Sequence, residues 1–155
     1  MCIRDSFPWR ADKYESVNAT VPIAIDDKRV FLSECYAKGG VMLEFAEDLS
    51  AKPLWEERAF GMHWMTPLFL DGHLYGFAGR NKPDVQFKCA RASDGEILWA
   101  EDMQYQHAMG DREMTLSFFR GSLLQADGRT FALGEDGVFG EFDLSPEKVL
   151  SLIHI

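Results

Sequence analysis

Histidine is the side chain best suited to proton transfer and metal binding near neutral pH. His63, His73 and His107 show no H-x-H or H-x-x-x-H spacing, so they do not form a metal site by themselves. His63 precedes a tryptophan and fits either a structural or a functional role, whereas His73 follows a tight turn and is expected to be solvated. A solvated loop is favoured over a metal site for the polar stretch that contains His107, Asp111, Arg112 and Glu113.

The cysteines indicate packing rather than redox or metal chemistry. Cys2, Cys35 and Cys89 form no C-x-x-C pair and no adjacent Cys-Cys pair. Cys35 and Cys89 lie on predicted strands, where burial as small residues is favoured and a disulfide between them is the alternative. The chain also has no G-x-S-x-G nucleophile motif. We therefore predict no catalytic, cofactor-binding or metal-ligating residues in this stretch.

The composition excludes several classes of partner. The 155 residues are 46% hydrophobic, which is enough for one modest core, and the formal net charge is −9. An acidic domain repels the phosphates of nucleic acid and the headgroups of anionic lipid, so neither is an expected partner. No apolar run approaches the roughly 18 residues of a transmembrane span, and the start of the chain lacks the apolar core of a secretory signal.

The two ends of the chain can be encoded by one DNA element read on opposite strands. The codons CTG TCT CTT ATA CAC ATC spell the final LSLIHI, and their reverse complement contains a reading of the initial MCIRD. Translated sequencing-library adapter would give such a pair of ends, and chance is the alternative. We therefore predict that residues 1–6 and 150–155 are adapter-derived, make no contacts that match the rest of the fold, and flank an internal piece of a longer protein.

Apolar strands joined by short polar turns dominate the rest of the chain. Asp71-Gly72 and Asp127-Gly128 are strong hairpin signals, because a type I′ turn needs positive φ at both central residues. Asp27-Lys28 occupies the matching place in an earlier copy. Three segments follow this plan: VPIAIDDKRVFLSE, TPLFLDGHLYGFAG and GSLLQADGRTFALGE.

These segments repeat at a nearly fixed interval. Phe31 and Tyr75 are 44 residues apart, as are Trp55 and Trp99, and a polar insertion lengthens the next interval to 56. A period near 44 with four short strands per unit is typical of propeller blades, and no segment has a long helical pattern. The predicted fold is all-β: a partial β-propeller over residues 7–149, with antiparallel four-stranded blades near 18–58, 63–102 and 117–149, the last without its fourth strand.

Three motifs carry a family resemblance: CARASDGEILW (residues 89–99), HWMTPLFLDGHLYGFAGRN (63–81) and GSLLQADGRTFALGEDG (121–137). They resemble the tryptophan-docking repeats of the quinoprotein-type, PQQ-binding-like β-propeller repeat proteins. The resemblance implies that Trp55 and Trp99 are structural, each docking its indole between adjacent blades. It also implies an exported or periplasmic protein whose parent chain has further blades. The family includes dehydrogenases and assembly scaffolds, so the resemblance implies a fold rather than an activity.

The lengths of the connections predict where a ligand would bind. In a four-stranded meander the tight Asp-Gly turns share one face, and the longer connections share the other, where binding is usual. We predict a non-catalytic scaffold that binds a protein or small ligand on that second face, without a cofactor. The alternative is a fragment of a quinoprotein oxidoreductase whose cofactor site lies in missing blades. The predicted contact residues are His63, Trp64, Arg80, Asn81, His107, Asp111 and Arg112.

Overall fold

The computed structural model describes residues 6–154, with side chains described for residues 6–150, and all of its regular structure is β. The first sheet contains β1 (Ile23–Ala24), β2 (Arg29–Glu34), β3 (Gly39–Phe45) and β4 (Ala51–Glu57). The second contains β5 (Leu68–Leu70), β6 (His73–Ala78), β7 (Gln86–Arg91) and β8 (Ile97–Glu101). A hairpin of β9 (Gln104–Met109) and β10 (Arg112–Ser117) precedes the third sheet, which contains β11 (Ser122–Ala126), β12 (Arg129–Leu133), β13 (Phe139–Leu144) and β14 (Val149–His154).

Each four-stranded sheet is an antiparallel meander in which sequential strands pair with each other. The predicted type I′ turns are present, because Asp71 and Gly72 both have positive φ, as do Asp127 and Gly128. The three sheets also share a register shift between their third and fourth strands. In each sheet the residue left out of the pairing comes directly before Trp55, Trp99 or Ile153. The three sheets are therefore copies of one structural unit. The all-β class and the antiparallel four-stranded sheets are thereby confirmed.

Two sequence predictions about the third unit are wrong. Its fourth strand is not missing, because β14 pairs with β13 from Val149 to His154 and completes the sheet. Most of the segment 150–155 therefore matches the repeat in its backbone pairing, since a run rich in branched apolar residues suits a strand whatever its origin. The polar insertion is an antiparallel hairpin rather than a loop, closed by Gly110 with a φ of 61°. Residues 1–5 and 155 lie outside the described residues.

Tryptophans join neighbouring sheets as the repeat pattern predicts. The Trp55 indole of the first sheet donates a 2.9 Å hydrogen bond to the Ala92 carbonyl oxygen of the second. The Trp99 indole of the second sheet donates an equivalent 2.9 Å bond to the Ser145 carbonyl oxygen of the third. Both indoles also pack on aromatic side chains of their own sheets, so each gains apolar contact while its N–H is satisfied.

The larger core lies between the second and third sheets. Phe77 stacks on Phe87 with ring centroids 4.6 Å apart, and Phe118 meets Phe142 edge to face at 5.1 Å. A second cluster joins the first sheet to the second through Phe31, Met42 and Leu74. Because each cluster is formed by the facing sides of two neighbouring sheets, the connections at the ends of their strands rest on a packed frame.

The outer face of the third sheet leaves large apolar side chains in solvent. Leu124, Leu133 and Phe139 are each at least 40% exposed. The outer face of the first sheet differs, because Phe7 and Trp9 cover part of it by packing near Val41 and Leu43. An uncovered apolar face of this kind tends to associate with another surface.

We expect the isolated chain to self-associate through the third sheet. Leu124→Lys should shift sedimentation toward the monomer, because it places a charge on the exposed apolar face. Met109→Lys is the matched control, since Met109 on the hairpin is 59% exposed and Leu124 is 61% exposed. A wild-type chain that sediments as a monomer over the whole concentration range would contradict this expectation.

Candidate functional site

Three connections meet at one end of the strands of the first two sheets, which we call the loop edge. They are the β2–β3 turn at residues 35–38, the segment 58–67 between the sheets, and the β6–β7 loop at residues 79–85. The Gly79 amide donates a 2.7 Å hydrogen bond to the Gly61 carbonyl oxygen, and the Met62 amide donates a 2.8 Å bond to the Ser33 hydroxyl. These bonds fix the middle segment against strands on both sides, so the residues that follow it have defined positions.

His63 lies at the centre of this edge and is only 6% exposed. Its Nε2 lies 2.9 Å from the Tyr36 hydroxyl, and its ring stacks on Trp64 with a centroid distance of 3.8 Å. Its Nδ1 is buried and has no hydrogen-bond partner in the described part of the chain. An unsatisfied polar atom in a packed site costs on the order of 1–3 kcal/mol, so a group that bonded to it would be stabilised there.

Arg80 and Arg120 flank His63 but differ in their pairing. The Arg120 guanidinium forms two hydrogen bonds with Glu135, at 2.7 and 2.6 Å, and lies over Trp64. The Arg80 guanidinium lies 4.3 Å from the centroid of the Tyr36 ring. Among residues 6–150, no carboxylate lies within ion-pairing distance of Arg80. This cation is therefore held by an aromatic face and keeps its hydrogen-bond donors available.

Burial lowers the pKa of His63 below its usual value of 6.5, and the positive charges of Arg120 and Arg80 lower it further. Glu135 and Glu34 oppose this shift through their negative charges. The imidazole is therefore neutral at pH 7 and bonds Tyr36 in one of its two tautomers. The cationic character of the site comes from the arginines rather than from His63.

Acidification is expected to destabilise the wild-type chain through His63. The unfolded chain binds a proton near pH 6.5 before the folded chain does, so the free energy of unfolding decreases as the pH falls through this range. The His63→Gln variant lacks this titrating group. Its free energy of unfolding should therefore fall less than that of the wild type between about pH 6.5 and pH 5. Urea denaturation at each pH measures the difference. Parallel pH profiles for the two proteins would contradict the expectation.

A pocket opens beside Tyr36 at the same edge. Its volume is about 290 Å³, and it borders the β2–β3 turn and the N-terminal segment. Most of its charged lining is basic, with Asp12 as the acidic member. The lining residues are Arg10, Ala11, Asp12, Lys13, Tyr36, Ala37 and Lys38.

The structure brings together only some of the contact residues predicted from the sequence. His63, Trp64 and Arg80 lie at one edge, and Asn81 is exposed in the same β6–β7 loop. His107, Asp111 and Arg112 lie on the exposed β9–β10 hairpin, and none of the three has a hydrogen bond, ion pair or ring contact with His63, Trp64 or Arg80. Among the described residues, no group of three or more His, Cys, Asp or Glu is placed to hold a metal ion.

Sequence reasoning did not identify Tyr36 and Arg120 as members of this site. Tyr36 was discoverable, because Arg80 follows it by 44 residues and therefore occupies the same repeat position. Arg120 had no such signal, since its contact with Trp64 depends on how the third sheet packs against the second.

Cys35 and Cys89 are free thiols and do not form the alternative disulfide. Cys89 is buried and Cys35 is half-buried, and burial raises the pKa of each thiol to about 11. Both are therefore protonated at neutral pH and are poor nucleophiles.

Comparison with known proteins does not assign a family. No family model matches the chain, and no curated protein matches it either. In residues 6–154, no helix has the length and apolarity that a membrane span requires.

Proposed function

We propose that the chain is a non-catalytic segment of a larger β-propeller repeat protein and acts as a binding scaffold. Its ligand contacts lie at the edge that contains His63, Trp64 and Arg80. One observation carries the proposal: the Arg80 cation stacks on buried Tyr36, beside an imidazole whose Nδ1 has no hydrogen-bond partner within residues 6–150. Groups that the fold already holds in place, and whose hydrogen-bond donors or acceptors have no partner, suit recognition of a ligand.

The repeat frame supports this function. The Trp55 and Trp99 hydrogen bonds tie three like sheets together, and similar contacts would continue into further sheets of a parent chain. The resemblance to PQQ-binding-like repeat proteins also implies that further sheets of this kind follow in a parent chain, and that the protein is exported. The sequence has no adjacent Cys-Cys pair, which favours a scaffold over the alternative of a quinoprotein oxidoreductase fragment whose cofactor site lies in other blades.

A ligand-observed NMR screen tests the proposal. The library contains small carboxylates, phosphate esters, neutral sugars and short peptides, together with pyrroloquinoline quinone and calcium. We expect at least one small compound or peptide to bind the wild type and to lose binding in Arg80→Gln. Saturable quinone binding would support the oxidoreductase alternative. If every compound that binds does so equally to wild type and Arg80→Gln, the proposed location is wrong.

A further inference from the structure

We propose that the pocket beside Tyr36 binds an oxyanion, the carboxylate or phosphate group of a small molecule. Its charged contacts are Lys38, which lines the pocket, and Arg80, which stacks on the lining residue Tyr36. The inference rests on the proposed function, because it names the ligand class of the same edge. Three features carry it: the distribution of unpaired cations, the rigidity of the groups beneath them, and the engagement of the nearest buried carboxylate.

Basic side chains concentrate around the β2–β3 turn of a chain whose net charge is −9. Arg10, Lys13 and Lys38 line the pocket, the Arg58 Nε donates to the Ala37 carbonyl oxygen at 3.3 Å, and Arg80 lies over the Tyr36 ring. None of these five cations has an ion pair with a described carboxylate. Six other cations form ion pairs: Arg29, Lys52, Lys82, Arg91, Arg120 and Arg129. The remaining described cations have no ion pair but lie on separate turns and strands: Lys28, Lys88, Arg112 and Lys148.

The groups beneath these cations are fixed before any ligand arrives. Tyr36 is buried, and its hydroxyl bonds His63 at 2.9 Å while its ring supports Arg80. Lys38 lies with its ammonium 4.7 Å from the centroid of a Trp9 ring, which is itself buried. A cation held over an aromatic ring loses little further freedom on binding, so more of its electrostatic attraction contributes to affinity.

The nearest buried carboxylate uses both of its oxygens for hydrogen bonds within the fold. One oxygen of Glu34 accepts a 3.0 Å hydrogen bond from the Ser16 hydroxyl, and the other accepts a 3.3 Å bond from the Lys38 backbone amide. Glu34 is fully buried, so its oxygens do not reach a ligand in the pocket, and its negative charge acts on His63 from within the fold. Asp12 is the carboxylate that lines the pocket, against three cations.

An oxyanion fits this arrangement better than a neutral or cationic ligand. A guanidinium presents parallel N–H donors that match two oxygens of a carboxylate or phosphate, and an ammonium adds a further donor. The pocket volume of about 290 Å³ admits a small metabolite rather than a polymer. The overall negative charge would repel a polyanion at long range, which favours a ligand with few charges.

Isothermal titration with matched probes tests the inference. Glycerol 3-phosphate and glycerol differ by the oxyanion, and citrate supplies carboxylates instead of phosphate. We expect glycerol 3-phosphate or citrate to bind and glycerol not to bind, with an affinity that weakens as salt is raised from about 0.05 to 0.5 M. The anion that binds with the higher affinity shows whether phosphate or carboxylate is preferred.

Variants locate the binding. Arg80→Gln and Lys38→Gln should each weaken anion binding by about tenfold, the loss of one charged hydrogen bond. Lys28→Gln is the control, because Lys28 is an exposed cation in the β1–β2 turn at the opposite edge, and it should leave the affinity within about twofold. Equal losses in Lys28→Gln and Lys38→Gln, or no binding of either anion, would overturn the inference. Glycerol binding that requires Arg80 would overturn the anion assignment while leaving the proposed scaffold function intact.

Discussion

Replacing Gly95 by alanine is expected to lower the free energy of unfolding by about 2–4 kcal/mol. Gly95 lies in the β7–β8 turn with a φ of 80°, where a side chain is strained. An added Cβ would also lie 2.6 Å from Cε3 of Trp55, which belongs to the preceding sheet. The substitution therefore disturbs both the turn and the tryptophan contact between sheets.

Gly72 separates these two effects. It has the same φ of 80°, but a Cβ added there would have no neighbour within 4 Å. Gly72→Ala should therefore cost only the conformational part, about 1 kcal/mol. Urea denaturation of both variants at low protein concentration measures the difference. Equal losses of stability in the two variants would show that contact with Trp55 adds nothing to the cost of Gly95→Ala.

Trp99→Ala is expected to lower the free energy of unfolding by about 3–5 kcal/mol, as for other large-to-small substitutions in a core. The indole packs against Tyr75 and Phe87, and its N–H bonds the Ser145 carbonyl oxygen of the next sheet. Trp99→Phe keeps most of the apolar contact and should lose about 1 kcal/mol for the missing hydrogen bond.

Trp64 provides a control of the same residue type. It is 50% exposed, and its indole N–H forms no hydrogen bond to another sheet within residues 6–150. Trp64→Ala should therefore cost about 1–2 kcal/mol through lost contacts with the His63 ring and the Arg120 guanidinium. A cost for Trp64→Ala that equals the cost for Trp99→Ala would contradict a special role for tryptophans between sheets.

Local chemistry made much of the fold predictable from the sequence. Asp71-Gly72 and Asp127-Gly128 specify their turns because few other residue pairs adopt positive φ at both positions. The resemblance to tryptophan-docking repeats implied the inter-sheet contacts of Trp55 and Trp99, and their spacing of 44 residues placed the two indoles at equivalent positions of successive units. Both features depend on residues close in sequence or on a strict repeat.

Features that depend on long-range packing were harder to predict. The strand β14 was missed because the terminal residues were set aside, although pairing with β13 requires only backbone groups and a compatible alternation. The β9–β10 hairpin turns at Gly110-Asp111, a pair that suits a type II′ turn, but its flanking residues are mostly polar and exposed and therefore favoured a loop. The stacking of Arg80 on Tyr36 joins two loops 44 residues apart, and no local pattern specifies that contact.

The most direct test of the binding edge is a map of amide chemical shifts in ¹⁵N-labelled protein titrated with glycerol 3-phosphate. The account predicts that the largest shifts fall on Tyr36, Lys38, His63 and Arg80, where the cations and the unpartnered imidazole nitrogen lie. The Asp71–Gly72 and Asp127–Gly128 turns at the opposite edge should shift little. Shifts confined to those turns, or no saturable shift at Tyr36 and Arg80, would contradict the account.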